Sequence, residues 1–230
     1  MKLIKLNRTR LVLCFLFFIA INSKIFSQKD LTKIFSDFFN DMPMSSEKEL
    51  KENFTLNTIE IFELKRYINR VVPIGYEVYI EFKENNRIDL RITEWNENSR
   101  RKEGLFAEWD IDPFNYKKEP NSDVPSPGGL IQTLSFEKVI TTLKWNFNTF
   151  KTIKEKLLRA NCISVTNGEP TQIGFKRSGM GMYFYNIFDK LINSNYQKQL
   201  DAQCNFRNFT KNILLEYYGG AIGPQCFPDK

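Results

Sequence analysis

Two rhythms of apolar residues alternate along the chain. Leu31, Ile34, Phe35, Phe38 and Phe39 recur at helical spacing, which predicts an amphipathic helix over 30–41 that Pro43 ends. Ser46 followed by Glu49 matches a capping box and predicts a short helix over 46–53. Thr58 is placed to cap a third helix that buries Ile61, Phe62 and Leu64 to Ile68, although its isoleucines also permit a strand.

The rhythm then shortens to two. Tyr76, Val78, Ile80 and Phe82 share one face of a strand, and Ile88, Leu90 and Ile92 share one face of the next. Glu84-Asn85-Asn86 between them is turn-forming, so the pair predicts a hairpin. A charged tip from Asn96 to Gly104 leads to a third strand, Leu105 to Ile111, with Leu105, Ala107, Trp109 and Ile111 on its apolar side. A Pro/Gly-rich connecting loop occupies 112–129.

Helical spacing returns beyond it. Ser135 is placed to cap a helix burying Phe136, Val139, Ile140 and Leu143, and Thr149 one burying Phe150, Ile153, Leu157 and Leu158. Ile163 to Val165, Gln172 to Lys176 and Tyr183 to Phe188 read as short strands, with Asn167-Gly168 turning between the first two. A short helix over 195–201 precedes a second hairpin, Cys204 to Phe209 and Ile213 to Tyr218. The fold class expected is α+β: antiparallel β meanders and hairpins packed against a layer of helices. Residues 28–111 and 130–230 form either two closely packed halves or one domain.

The first 27 residues follow a different logic. Lys2, Lys5, Arg8 and Arg10 precede a continuous apolar run of 11 residues, Leu11 to Ile21, and Ser27 offers a small residue for cleavage. These are the parts of a secretory signal peptide. As a helix the run spans about 16 Å, too short for a hydrocarbon core of roughly 30 Å, so no stable membrane anchor is expected after cleavage. The expected destination is secreted or periplasmic.

Cleavage changes the charge. The leader holds five of the 33 basic residues and none of the 27 acidic ones, leaving 28 basic and 27 acidic residues and a net charge of +1. A nucleic-acid partner is therefore not expected. The chain also has no histidine, so Ser-His-Asp or Cys-His catalysis, a His-bound zinc and a histidine pH switch are excluded from its own side chains. No cofactor and no metal are expected.

Cys162, Cys204 and Cys226 follow the leader, and in an oxidising compartment one of three pairings closes. Cys204–Cys226 is favoured because it would tie down the glycine-rich tail. Cys162, between a helix and an apolar strand, reads as a buried thiol.

Three groups are candidates for chemistry. Glu108, Asp110 and Asp112 alternate and would share the polar face of the meander with Glu77, Tyr79, Glu81, Asp89, Arg91, Thr93 and Trp95. Carboxylates beside an arginine and an exposed tryptophan resemble the contents of a sugar-binding cleft, and Glu108 with Asp110 are candidates for acid and base in glycoside cleavage. Asp110 and Asp112 have the oxygen chemistry of a hard-cation site. A half-buried antiparallel sheet, however, carries polar residues on its solvent side without any such purpose. The second group is Gly174 to Gly181, where Lys176, Arg177 and the Gly179 amide are the candidates for an anion nest; a hairpin turn explains the same residues. The third is Tyr217 to Pro224, a glycine-rich tail that would let Cys226 reach its partner. The leading expectation is a non-enzymatic exported protein that binds an extracellular or periplasmic ligand or protein. The alternative is a carboxylate-dependent hydrolase acting on an extracellular glycan.

Overall fold

The computed structural model describes residues 44–97, 101–116, 134–218 and 225–227, without the side chains of Asn96 and Arg101. The leader, the helix expected over 30–41, most of the connecting loop and the glycines of the tail lie outside these residues.

Helix α1 (Glu47–Leu56) starts on the expected capping box: Ser46 and Glu49 satisfy each other's backbone amides. Helix α2 (Thr58–Val71) follows after a single residue, its cap at Asn57, and the Thr58 hydroxyl instead donates to the Phe54 carbonyl. Ser135 caps α3 (Phe136–Leu143) as its position predicts. In α4 (Phe147–Arg159) the cap is Asn146, and Thr149 returns the reciprocal bond one turn in. Leu158, expected inside, is 67% exposed, while Phe150, Ile153 and Leu157 are buried.

Eight strands form one antiparallel sheet: β1 (Tyr76–Phe82), β2 (Ile88–Asn96), β3 (Arg101–Ile111), β4 (Ser164–Thr166), β5 (Thr171–Ser178), β6 (Gly181–Ile187), β7 (Phe206–Thr210) and β8 (Ile213–Tyr218). Their spatial order is β3, β2, β1, β4, β5, β6, β8, β7. A short helix α5 (Ser194–Asp201) packs on β7. Among the described residues five helices accompany this sheet, an α+β arrangement.

Register decides which side chains meet the helices. Ile80 pairs with Leu90 and with Val165, Val165 with Ile173, Ile173 with Tyr185, and Tyr185 with Leu215. This row and its neighbours form one apolar face, and Leu50, Phe54, Ile61, Leu64, Ile68, Val139 and Ile153 pack into the same core. Burying each such side chain contributes roughly 1.5–3 kcal/mol. One polar group sits inside it. Asn53 donates to the Ala160 carbonyl and the Tyr185 hydroxyl, both at 3.1 Å, and accepts from Asn57 and Asn161, both at 2.8 Å. With every hydrogen-bonding position filled, this amide fixes α1 against α4 and β6, and its bonds offset the cost of desolvating it.

Cys204 and Cys226 form a disulfide, a bond compatible with an oxidising compartment. It brings Phe227, fully buried, against Tyr183 and Tyr217. Cys162 is a buried free thiol whose pKa burial drives well up. Among the described residues no helix is long and apolar enough to cross a membrane.

Gly174 is required by packing. A Cβ there would lie 2.0 Å from Ser164 Oγ and 2.4 Å from Met182 Sδ, closer than real contacts allow. Gly174→Ala is expected to destabilise by about 1–3 kcal/mol through overpacking, read as a lower urea midpoint; an unchanged midpoint would refute this reading.

Candidate functional site

The face of the sheet opposite the core helices begins with alternation. In β1 and β2, Glu77 pairs with Thr93, Tyr79 with Arg91 and Glu81 with Asp89, so the polar residues expected together on these strands are together. Strand β3 differs. Eleven of its residues pair with nine of β2, and the excess sits in two bulges, one at Leu105 and one at Trp109–Asp110 opposite Asp89. Between the bulges Phe106 pairs with Ile92, Ala107 with Arg91 and Glu108 with Leu90.

This register corrects the expected faces. Phe106 and Glu108 turn to the core side, where the Tyr116 hydroxyl donates to Glu108 at 2.9 Å and the Tyr116 ring stacks on Phe136. Ala107 and Trp109 turn to the polar side, and Trp109, expected to be buried, is 44% exposed. Asp110 occupies a left-handed backbone position, φ 56°, and pairs with Arg87 at 2.9 Å. Asp112 accepts from the Phe114 and Asn115 amides in a local turn; its Asn115 side-chain and Phe114 backbone hydrogen bonds lower its pKa. The three carboxylates that simple alternation would align therefore go to three different places. Among the described residues no cluster of three or more carboxylate or thiol groups is arranged to hold a metal ion.

The polar face is built on ion pairs. Glu81, 3% exposed, accepts two bonds from Arg177 Nη2 at 2.7 and 2.6 Å, a third from Nε at 3.1 Å, and a short one from the Tyr79 hydroxyl. Burial opposes the charge on Arg177, but the hydrogen bonds and charge of Glu81 outweigh it and raise its pKa. Burial, then the Glu81 charge, drives the Tyr79 hydroxyl far above its ordinary range. Asp89 is equally buried and takes Lys83 Nζ at 2.6 Å and the Asp110 amide at 2.8 Å. Lys102 pairs with Glu77. Among the described residues the buried Thr93 hydroxyl has no hydrogen-bond partner.

A shallow recess, partly open to solvent, lies on β1–β3 and is lined by Tyr79, Asp89, Leu90, Arg91, Ala107, Glu108 and Trp109. Small Ala107, between Trp109 and the position of Arg91, leaves room there. The Arg91 guanidinium lies 5.3 Å from the centre of the Tyr79 ring. Trp95, 50% exposed, follows on the same face of β2.

The anion-nest candidates are not gathered. Arg177 turns inward to Glu81, whereas Lys176 is exposed with its ammonium 4.9 Å from the Phe175 ring centre. Gly179, φ 56°, heads a two-residue hairpin closed by Ser178 and Gly181.

A second polar cluster on this face is almost invisible in the sequence. Gln172 and Asn186 donate to the same oxygen of Glu216, at 3.0 and 2.8 Å. Glu216 is buried, and desolvation raises its pKa despite these bonds. A lone acid within the apolar run Ile213–Tyr218 was its only mark in the sequence.

Two outcomes follow. Arg177→Met would strand Glu81 as an uncompensated buried charge and cost about 3 kcal/mol in urea denaturation, most of it recovered when Glu81→Gln is added; no loss in the single variant would contradict the pairing. For Glu216, both states hold the proton below the ordinary glutamate value of about 4.3; above it the unfolded chain releases its proton first. The folded state then binds more protons, so this group's contribution to stability declines as pH rises to its raised folded value. Measured from pH 4 to 7, the stability of the natural protein should fall relative to Glu216→Gln, and parallel profiles would exclude that contribution.

No protein-family model matches the chain, and neither a curated protein nor a solved structure matches it.

Proposed function

We propose that this is an exported, non-enzymatic binding protein whose ligand, an extracellular or periplasmic glycan, lies across the polar face of β1–β3. The observation that carries this reading is Trp109. A bulge in β3 accompanies an apolar ring exposed beside a recess, among side chains already fixed by ion pairs. Exposed aromatic surface beside an oriented polar group suits a sugar ring, which offers C–H surface to the indole and hydroxyls to Arg91.

Trp95 extends the same face. It lies six residues along β2 from Asp89, opposite which Trp109 sits, so the two indoles are about 20 Å apart along the strand direction. That spacing suits a chain of sugars better than a single small molecule. The recess is also shallow and partly open, a surface to lie across rather than a pocket that encloses a ligand. Export rests on the sequence leader, and the Cys204–Cys226 bridge is compatible with it. The hydrolase alternative loses the shared face on which it depended, because Glu108 and Asp110 point to different surroundings.

The test is calorimetric titration of the full chain with a panel of neutral and acidic oligosaccharides. At least one should bind, and Trp109→Ala should weaken it tenfold or more, about 1.4 kcal/mol, with an unchanged thermal midpoint. Absence of binding across the panel, or binding indifferent to Trp109, would reject the proposal.

A further inference from the structure

We infer that the recess beside Trp109 recognises an acidic sugar unit, a pyranose ring carrying a carboxylate, with Arg91 as the group that receives the anion. The inference deepens the proposed glycan-binding reading and rests on it.

Charges on this part of the sheet are matched in pairs. On this face and its edge Glu77 has Lys102, Glu81 has Arg177, Asp89 has Lys83 and Asp110 has Arg87. Arg91 is the cation left over: its guanidinium sits over the Tyr79 ring, and among the described residues it has no carboxylate within ion-pair distance. Asp89, two residues away on the same face, does not compensate it. One Asp89 oxygen already takes both Lys83 and the Asp110 amide. Glu81, beyond Tyr79, is held by Arg177 from a strand on the other side of β4.

Geometry gives the unmatched charge a use. A guanidinium held near an aromatic ring loses little freedom on binding, and its fork fits a carboxylate through two parallel hydrogen bonds. Arg91 is exposed, so it can meet such a group without first breaking an ion pair. Ala107, its partner across the β2–β3 ladder, adds no bulk above it, and Trp109 stands two residues further along. A ring seated on Trp109 would therefore carry a substituent toward Arg91. Among the described residues of this face the other cations named above are already paired, which makes one carboxylate at this point better matched than a densely charged polyanion along the whole strand.

The probes are tetrasaccharides of uronic acids, each paired with its carboxyl-reduced counterpart and titrated into the full chain by calorimetry. The acidic member is expected to bind about tenfold tighter than the reduced one and to lose that advantage between 50 and 500 mM salt. Arg91→Gln should abolish the difference, Arg91→Lys should restore part of it, and Trp109→Ala should weaken both members alike. Equal affinity of the two members, with both lost in Trp109→Ala, would overturn the role of Arg91 while leaving the glycan face standing. An acidic preference that survives Arg91→Gln, in protein with an unchanged thermal midpoint, would place the anion elsewhere and also overturn it. No binding by any member would overturn this inference and the function on which it rests.

Discussion

Three residue pairs between β1 and β4 hold the sheet together: Tyr79 with Thr166, Ile80 with Val165 and Glu81 with Ser164. So short a ladder joins a three-stranded meander to a five-stranded group, and without it each would present an open edge. Side chains lengthen the seam. Asn167 continues it by accepting from the Val78 amide at 2.6 Å and donating to the Tyr76 carbonyl at 2.9 Å, as a further backbone pair would. The Arg177–Glu81 pair crosses β4 on one face, and the core packs against Val165 on the other. The polar strap that anchors Tyr79, and so supports the Arg91 guanidinium, is thus also part of what unites the sheet.

This explains a division of labour among charged groups on one surface. Glu81 and Asp89 are buried and spoken for, so their contribution is positional: they fix the Tyr79 hydroxyl and the backbone at the Asp110 bulge. The groups that the proposed ligand would meet, Arg91, Trp95 and Trp109, are exposed, and the first and last of them line the recess. Rigid support beneath and accessible groups above is the arrangement expected where a surface must bind without rearranging.

Most of the architecture could be read from local patterns, because the helices and the first hairpin obey simple periods and carry recognisable caps. Ser46, Glu49 and Ser135 act as their positions imply. Asn85 and Asn86 both take left-handed conformations that asparagine tolerates, so the turn they mark is real. The candidate surface was less legible, because it depends on β3, where period-two counting breaks. A bulge flips every side chain beyond it, and nothing in Leu105-Phe106-Ala107-Glu108-Trp109 announces one. Hence Trp109 reads as core in the sequence and stands at the surface in the fold. The bond from Arg177 to Glu81 was equally hidden, since it joins residues 96 positions apart whose meeting depends on strand order.

The irregularity of β3 has a second effect, on solubility. In the described sheet β3 is an outer strand, and a long outer strand with evenly spaced amides and carbonyls is a template on which another chain can assemble. Two interruptions in its pleat spoil that template, because an incoming strand would fall out of step twice within eleven residues. The distortion that brings the Trp109 indole to the surface thus also makes β3 a poor template for a second chain, and the Leu134 amide already donates to the Leu105 carbonyl at its first bulge.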